Sequence, residues 1–191
     1  FTLAVSAETP EYSDFSAKLA LSVLERLRKM YELARKISVL EESEEKSHID
    51  KWFLSIIQNR IAQVTNALEE LRVREAATII LYTMEQDLKW YLENAEKPSV
   101  KILKYFFNVW TRLLSPFAPF IAEEIWSILG NKELVSTASW PKVRSEYIDR
   151  EAELKEEYFR KLITDIKEIL KVTKVRKPKK IVIYNAASWK K

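Results

Sequence analysis

Adjacent carboxylates such as Glu41-Glu42, Glu69-Glu70 and Glu123-Glu124 are the first candidates for acid–base chemistry. Such chemistry needs two carboxyls converging on one cleft with their pKa values pushed apart. Neighbours on a helix point about 100° apart, so these pairs diverge and read as solvated faces and caps. Glu123 and Glu124 lie in an unusually apolar stretch, and one of them is expected to be a partly buried structural acid. His48 is the single histidine and follows Ser47 at a helix start, a surface position. There is no cysteine, and the single glycine is Gly130. These counts exclude zinc clusters, cysteine nucleophiles, disulfides and the Gly-rich phosphate loops. A Ser-His-Asp triad would rest on His48 alone. The chain is therefore expected to hold no catalytic residue, no metal ligand set and no cofactor.

Binding chemistry is better represented. From Lys171 onward there are eight lysines and arginines and no acid, so the rest of the chain is net acidic although the whole carries +4. The run KVTKVRKPKK, with Lys171, Lys174, Arg176, Lys177, Lys179 and Lys180, points to a polyanion at that end. Complementing a helix dipole explains Lys171 and Lys174, but not Arg176 to Lys180. A second candidate is a polar face made by Ser55, Gln58, Asn59, Ala62 and Asn66 with Arg60 beside it. Uncharged amides there can contact RNA, or satisfy one another between helices. The candidate RNA-contacting residues are therefore Asn59, Arg60, Lys174, Arg176, Lys177, Lys179 and Lys180. Of the six tryptophans, Trp52, Trp110 and Trp126 read as core; Trp90, Trp140 and Trp189 lie off the stripes or in loops, where packing competes with stacking on a base.

The elements that must position these residues are helical, because one glycine leaves little for hairpins. Residues 1–13 lack helical period and read as an extended connector. A first helix is predicted from near Asp14, capped by Ser13 or Asp14, with Phe15, Leu19, Val23, Leu27, Met30, Ala34 and Ile37 on one face. A second starts at Ser47 with Ile49, Phe53, Ile57, Ile61, Val64, Leu68 and Leu71. A third spans roughly 73–94, a fourth runs from Pro98 to about Leu114, and a fifth stops at Gly130 as a left-handed cap. After a loop at 131–148, a sixth covers about 150–171. Ile181 to Tyr184 reads as a strand that needs a partner, in the loop at 131–141 or beyond Lys191. The expected fold is mostly α, an antiparallel helical bundle with a short C-terminal β segment. The runs of apolar residues are too short to span a membrane. A start at Phe1 suggests a piece of a larger cytoplasmic protein.

The run SPFAPFIAEEIWSILG, residues 115–130, resembles a motif of the anticodon-binding domain of class I aminoacyl-tRNA synthetases for valine, leucine and isoleucine: Pro-Phe-x-Pro-His, a small residue, Glu-Glu, an aliphatic, Trp and a closing Gly. Asp50-Lys51-Trp52-Phe53-Leu54-Ser55 is similar to the Asp-x-Trp-x-Leu-Ser that opens the second helix of that bundle. Glu8 to Asp14 resembles the stretch after the catalytic domain, and Ser139-Trp140-Pro141 the Ser-x-Trp-Pro that follows the motif. Phe120 departs from the family histidine. The resemblance covers most of residues 1–145, and residues 146–191 resemble the archaeal and eukaryotic-cytosolic leucine type best.

The resemblance implies a non-catalytic tRNA-docking domain of an enzyme that ligates leucine to tRNA with ATP and Mg²⁺. Its partners would be tRNA and the catalytic domain of the same parent chain. The family's His-Ile-Gly-His and Lys-Met-Ser-Lys-Ser motifs are both absent from this sequence. The implied organisation is a connector at 1–13, the bundle at 14–145, a further helix packed on it at 146–175, and a basic linker and strand at 176–191 leading to a C-terminal extension. The alternatives are the same domain of an isoleucine or valine enzyme, or a helical protein-interaction scaffold that binds no RNA.

Overall fold

The computed structural model describes residues 2–6, 16–41, 47–175 and 178–184. Among these residues there are eight α-helices, in order α1 (Thr2–Ser6), α2 (Ala17–Ser38), α3 (His48–Glu69), α4 (Val73–Thr78), α5 (Met84–Asn94), α6 (Val100–Leu114), α7 (Pro119–Ile128) and α8 (Arg150–Val172). Among the described residues there is no strand. The chain divides into two compact units, residues 1–153 and 154–191.

Periodicity built the core of the first unit. From α2, Val23, Leu27, Met30, Ala34 and Ile37 are buried; from α3, Ile49, Phe53, Ile57, Ile61 and Val64; from α6, Leu103, Phe106, Trp110 and Leu113. Trp52 and Trp126 are buried with them, as their positions predicted. Phe53 lies at the centre, stacked on Tyr91 at 4.3 Å and on Phe106 at 5.3 Å between ring centroids.

The predicted third helix is one path with a π turn inside it. Ile79–Thr83 widens the helix between α4 and α5, and the Met84 N–H reaches back to the Ile79 carbonyl. The Ile80 carbonyl accepts from Trp110 Nε1 at 2.9 Å. A bulge of this kind needs such a partner, because it displaces a carbonyl from the regular ladder.

Four expectations are corrected. Thr2–Ser6 form a short helix instead of extended chain. The cap of α2 is Ser16, whose hydroxyl accepts from the Leu19 N–H; Ser13, Asp14 and Phe15 lie outside the described residues. Leu71 is exposed, because the chain turns there through φ +59° and leaves the apolar face of α3. Residues 181–184 form no strand. In the loop at 131–141 Val135 to Thr137 form a 3₁₀ turn, and the Val135 N–H goes to the Glu123 carboxylate at 2.9 Å instead of a ladder.

Candidate nucleic-acid interface

The motif residues fix the joints between the helices around them. Asp50 Oδ2 accepts the Ser47 N–H at 2.8 Å, and the Ser47 hydroxyl accepts the Asp50 N–H, closing a capping box. Asp50 Oδ1 accepts the Tyr91 hydroxyl at 2.6 Å, and that hydroxyl accepts the Ser99 N–H at 2.8 Å. One buried aspartate thus ties the start of α3 to the end of α5 and the start of α6. Burial, with the hydrogen bond to Asp50, pushes the Tyr91 phenol far above its ordinary pKa. Five residues on, the buried Ser55 hydroxyl donates to Glu153 Oε1 at 2.5 Å and accepts the Asp149 N–H at 2.9 Å, holding the entry to α8.

The second motif holds the loop after α7. Glu123 is the structural acid expected there; it accepts the Val135 N–H. Trp126 Nε1 donates to the Glu133 carbonyl at 2.8 Å. Gly130 has φ +89°, and the N–H groups of Gly130 and Asn131 return to the Ser127 and Trp126 carbonyls, the expected left-handed cap. Phe120, in the position of the family histidine, is exposed. These motif residues build scaffold and bring no reacting groups together.

The predicted RNA-contacting residues divide. Asn59 donates to Glu153 Oε1 at 2.9 Å. Arg60 pairs with Asp87 at 2.7 Å and also donates to Gln63. Gln58 on that face satisfies interior partners: its Nε2 donates to the Leu54 carbonyl and the Tyr105 hydroxyl, while its Oε1 accepts the Arg144 N–H at 3.0 Å; Asn66 is exposed. Lys174, Lys179 and Lys180 are exposed. Arg176 and Lys177 lie outside the described residues, as does Trp189. Lys167, Lys171 and Lys174 line one open cleft of about 510 Å³ at the end of α8. Lys174 itself ends that helix at φ +55°.

Sequence reasoning missed a second basic site. A cleft of about 320 Å³ lies between α6 and the segment 139–144, lined by Tyr105, Arg112, Trp140, Lys142 and Arg144 among others. Arg112 donates to the Asn108 carbonyl, the Asn108 side chain and the Ser139 carbonyl, all neutral oxygens. Burial lowers the Arg112 pKa; Tyr105 opposes that and the Arg144 charge adds to it. Arg144 lies 5.5 Å from the Tyr105 ring centroid and 5.7 Å from that of Tyr147. Its pKa is raised, first by the hydrogen bond to Tyr147 and then by Tyr105. Trp140 Nε1 donates to Thr65 Oγ1 at 2.9 Å and fixes the indole. The signal was present in sequence: Tyr105, Asn108 and Arg112 recur at helical spacing on one face of α6.

Against known proteins, residues 50–183 match the family model of the anticodon-binding domain of tRNA ligase. The chain belongs to that family. It is 38% identical to a leucine–tRNA ligase of Methanocaldococcus jannaschii over all of this chain and 20% of the relative. A leucine–tRNA ligase of Pyrococcus abyssi is 36% identical over 96% of this chain and 20% of its own. The chain thus spans about a fifth of the length of these relatives. The fold is shared with a solved ternary complex, Agrobacterium radiobacter K84 agnB2 LeuRS-tRNA-LeuAMS, at TM-score 0.65 and 22% identity over 78% of this chain and 19% of the other.

The chain has one glycine, and among the described residues no group of three or more His, Asp or Glu is placed to hold a metal ion. No described helix is long and apolar enough to cross a membrane.

Proposed function

We propose that this anticodon-binding domain is the tRNA-docking module of a cytoplasmic leucine–tRNA ligase. The observation that carries the proposal is the similarity of the whole chain, 35–38% identical, to archaeal leucine–tRNA ligases. Leucine activation with ATP and Mg²⁺ belongs to the remainder of that parent, whose catalytic domain is the module's covalent partner. The module contributes position. A rigid bundle holding the tRNA body places the acceptor end at the active site, which converts a loose encounter into an oriented one. Contacts to phosphates supply affinity and register without reading sequence.

The exposed lysines at the end of α8 and the run through Lys180 are suited to that work. Asn59 and Arg60 contribute by holding α3 to its neighbours, which presents the surface. The test is the fourfold change of Arg176, Lys177, Lys179 and Lys180 to Ala in the full-length parent. It weakens tRNA binding and flattens the plot of log K against log salt by roughly one unit for each phosphate that is no longer neutralised. Leucine activation, measured by ATP–pyrophosphate exchange, keeps its rate. Wild-type affinity and slope in that variant would show the run to be a solvated surface.

A further inference from the structure

The cleft beside α6 holds more positive charge than packing requires. Arg112, Lys142 and Arg144 line it, and no carboxylate does so among the described residues. The hydrogen bonds that fix Arg112 go to uncharged oxygens, so its charge is oriented without being neutralised. Glu146, two residues beyond Arg144, is the acid that acts on Arg144. Both walls are set by one buried residue, because Gln58 bonds the Tyr105 hydroxyl on one side and the Arg144 N–H on the other. Preorganised cations in a cleft that no carboxylate lines are what an anion site needs. Forked guanidiniums match the oxygens of a phosphate. An indole on the same wall offers a face to a sugar or base.

We infer that this cleft is an RNA subsite that grips one backbone phosphodiester between Arg112 and Arg144, with the attached nucleoside laid against Trp140. The inference rests on the tRNA-docking reading and adds to it a second, separate contact point. The site lies in the first unit, within residues 105–144, and shares no residue with the basic run.

The test uses the full-length parent and tRNA carrying single ethylated phosphates. In the wild type, ethylation of one particular phosphate blocks binding. Arg144→Gln weakens tRNA binding about tenfold, the effect of removing one charged hydrogen-bonding group. It lowers the salt slope by about 0.9, and the protein becomes indifferent to ethylation at that phosphate. Arg112→Lys keeps the charge and loses the fork; it weakens binding severalfold at the same phosphate. Melting temperature reports folding for each variant, and Arg144→Gln, at an exposed position, decides the matter if Arg112→Lys does not fold. If both folded variants keep the wild-type affinity and ethylation pattern while the fourfold variant weakens, the subsite is refuted and the docking reading stands. A parent that binds no tRNA at all overturns both.

Discussion

At the scale of single residues, backbone conformation separates positions that look alike in sequence. Gly130 and Leu71 both end a helix in the left-handed region, at φ +89° and +59°. A Cβ on Gly130 would meet nothing within 4 Å, so Gly130→Ala costs only the conformational term, about 1 kcal/mol. Leu71 already bears that strain, and its side chain is 75% exposed, so little burial offsets it. The Arg72 N–H closes the turn onto the Ala67 carbonyl at 2.7 Å. Leu71→Gly is therefore expected to stabilise the protein by roughly 0.5 kcal/mol, the released strain less the added freedom of the unfolded chain. Urea midpoints at unchanged m value measure both, with opposite signs. A loss of stability in Leu71→Gly would mean that the exposed leucine is packing after all.

At the scale of elements, the decisive joint is between α3 and the start of α8, where Glu153 accepts from Ser55, Asn59 and Arg150. Burial works to raise the Glu153 pKa, but the three hydrogen bonds outweigh it and hold the carboxyl below its ordinary value. A depressed carboxylate stabilises the fold at pH above its unfolded pKa of about 4.3. That stabilisation disappears as the pH falls through the lower folded value. Glu153→Gln is expected to cost about 2 kcal/mol at neutral pH, and its deficit against the wild type to shrink as the pH falls below about 4. A deficit that is the same at every pH would assign the joint to shape alone. This joint also marks where sequence reading stops. The stripes of α2, α3 and α6 were legible because burial follows a period that the chain itself displays. Ser55, Gln58 and Asn59 looked like an outer face because their partners, Glu153, Arg144 and Tyr105, lie 47 to 98 residues away. The cleft was missed for the same reason: its two arginines stand 32 positions apart, and only the fold gives them a common wall. The strand at 181–184 failed because β propensity describes a surface awaiting a partner, and the described residues provide none.

At the scale of the whole molecule, the docking reading makes the chain a surface on which the rest of the proposed parent depends. The two signature motifs of the wider enzyme family cannot be assembled from it. His-Ile-Gly-His needs two histidines, and His48 stands alone; Lys-Met-Ser-Lys-Ser needs serine after methionine, while Met30 precedes Tyr31 and Met84 precedes Glu85. The 191-residue chain by itself is expected to give no leucine-dependent ATP–pyrophosphate exchange. In the parent, the fourfold basic-run variant and Arg144→Gln should leave that exchange at the wild-type rate, since the docking reading assigns amino-acid activation to the rest of the chain. Charging of tRNA should fall with both at limiting tRNA and recover toward wild type as tRNA is raised, because the loss lies in binding and not in the chemical step. A variant whose charging stays low at saturating tRNA would place its residue in the positioning of the acceptor end, where a small misplacement slows reaction far from the altered side chain. Exchange by the isolated chain would contradict the division of labour between docking and chemistry on which all of these expectations rest.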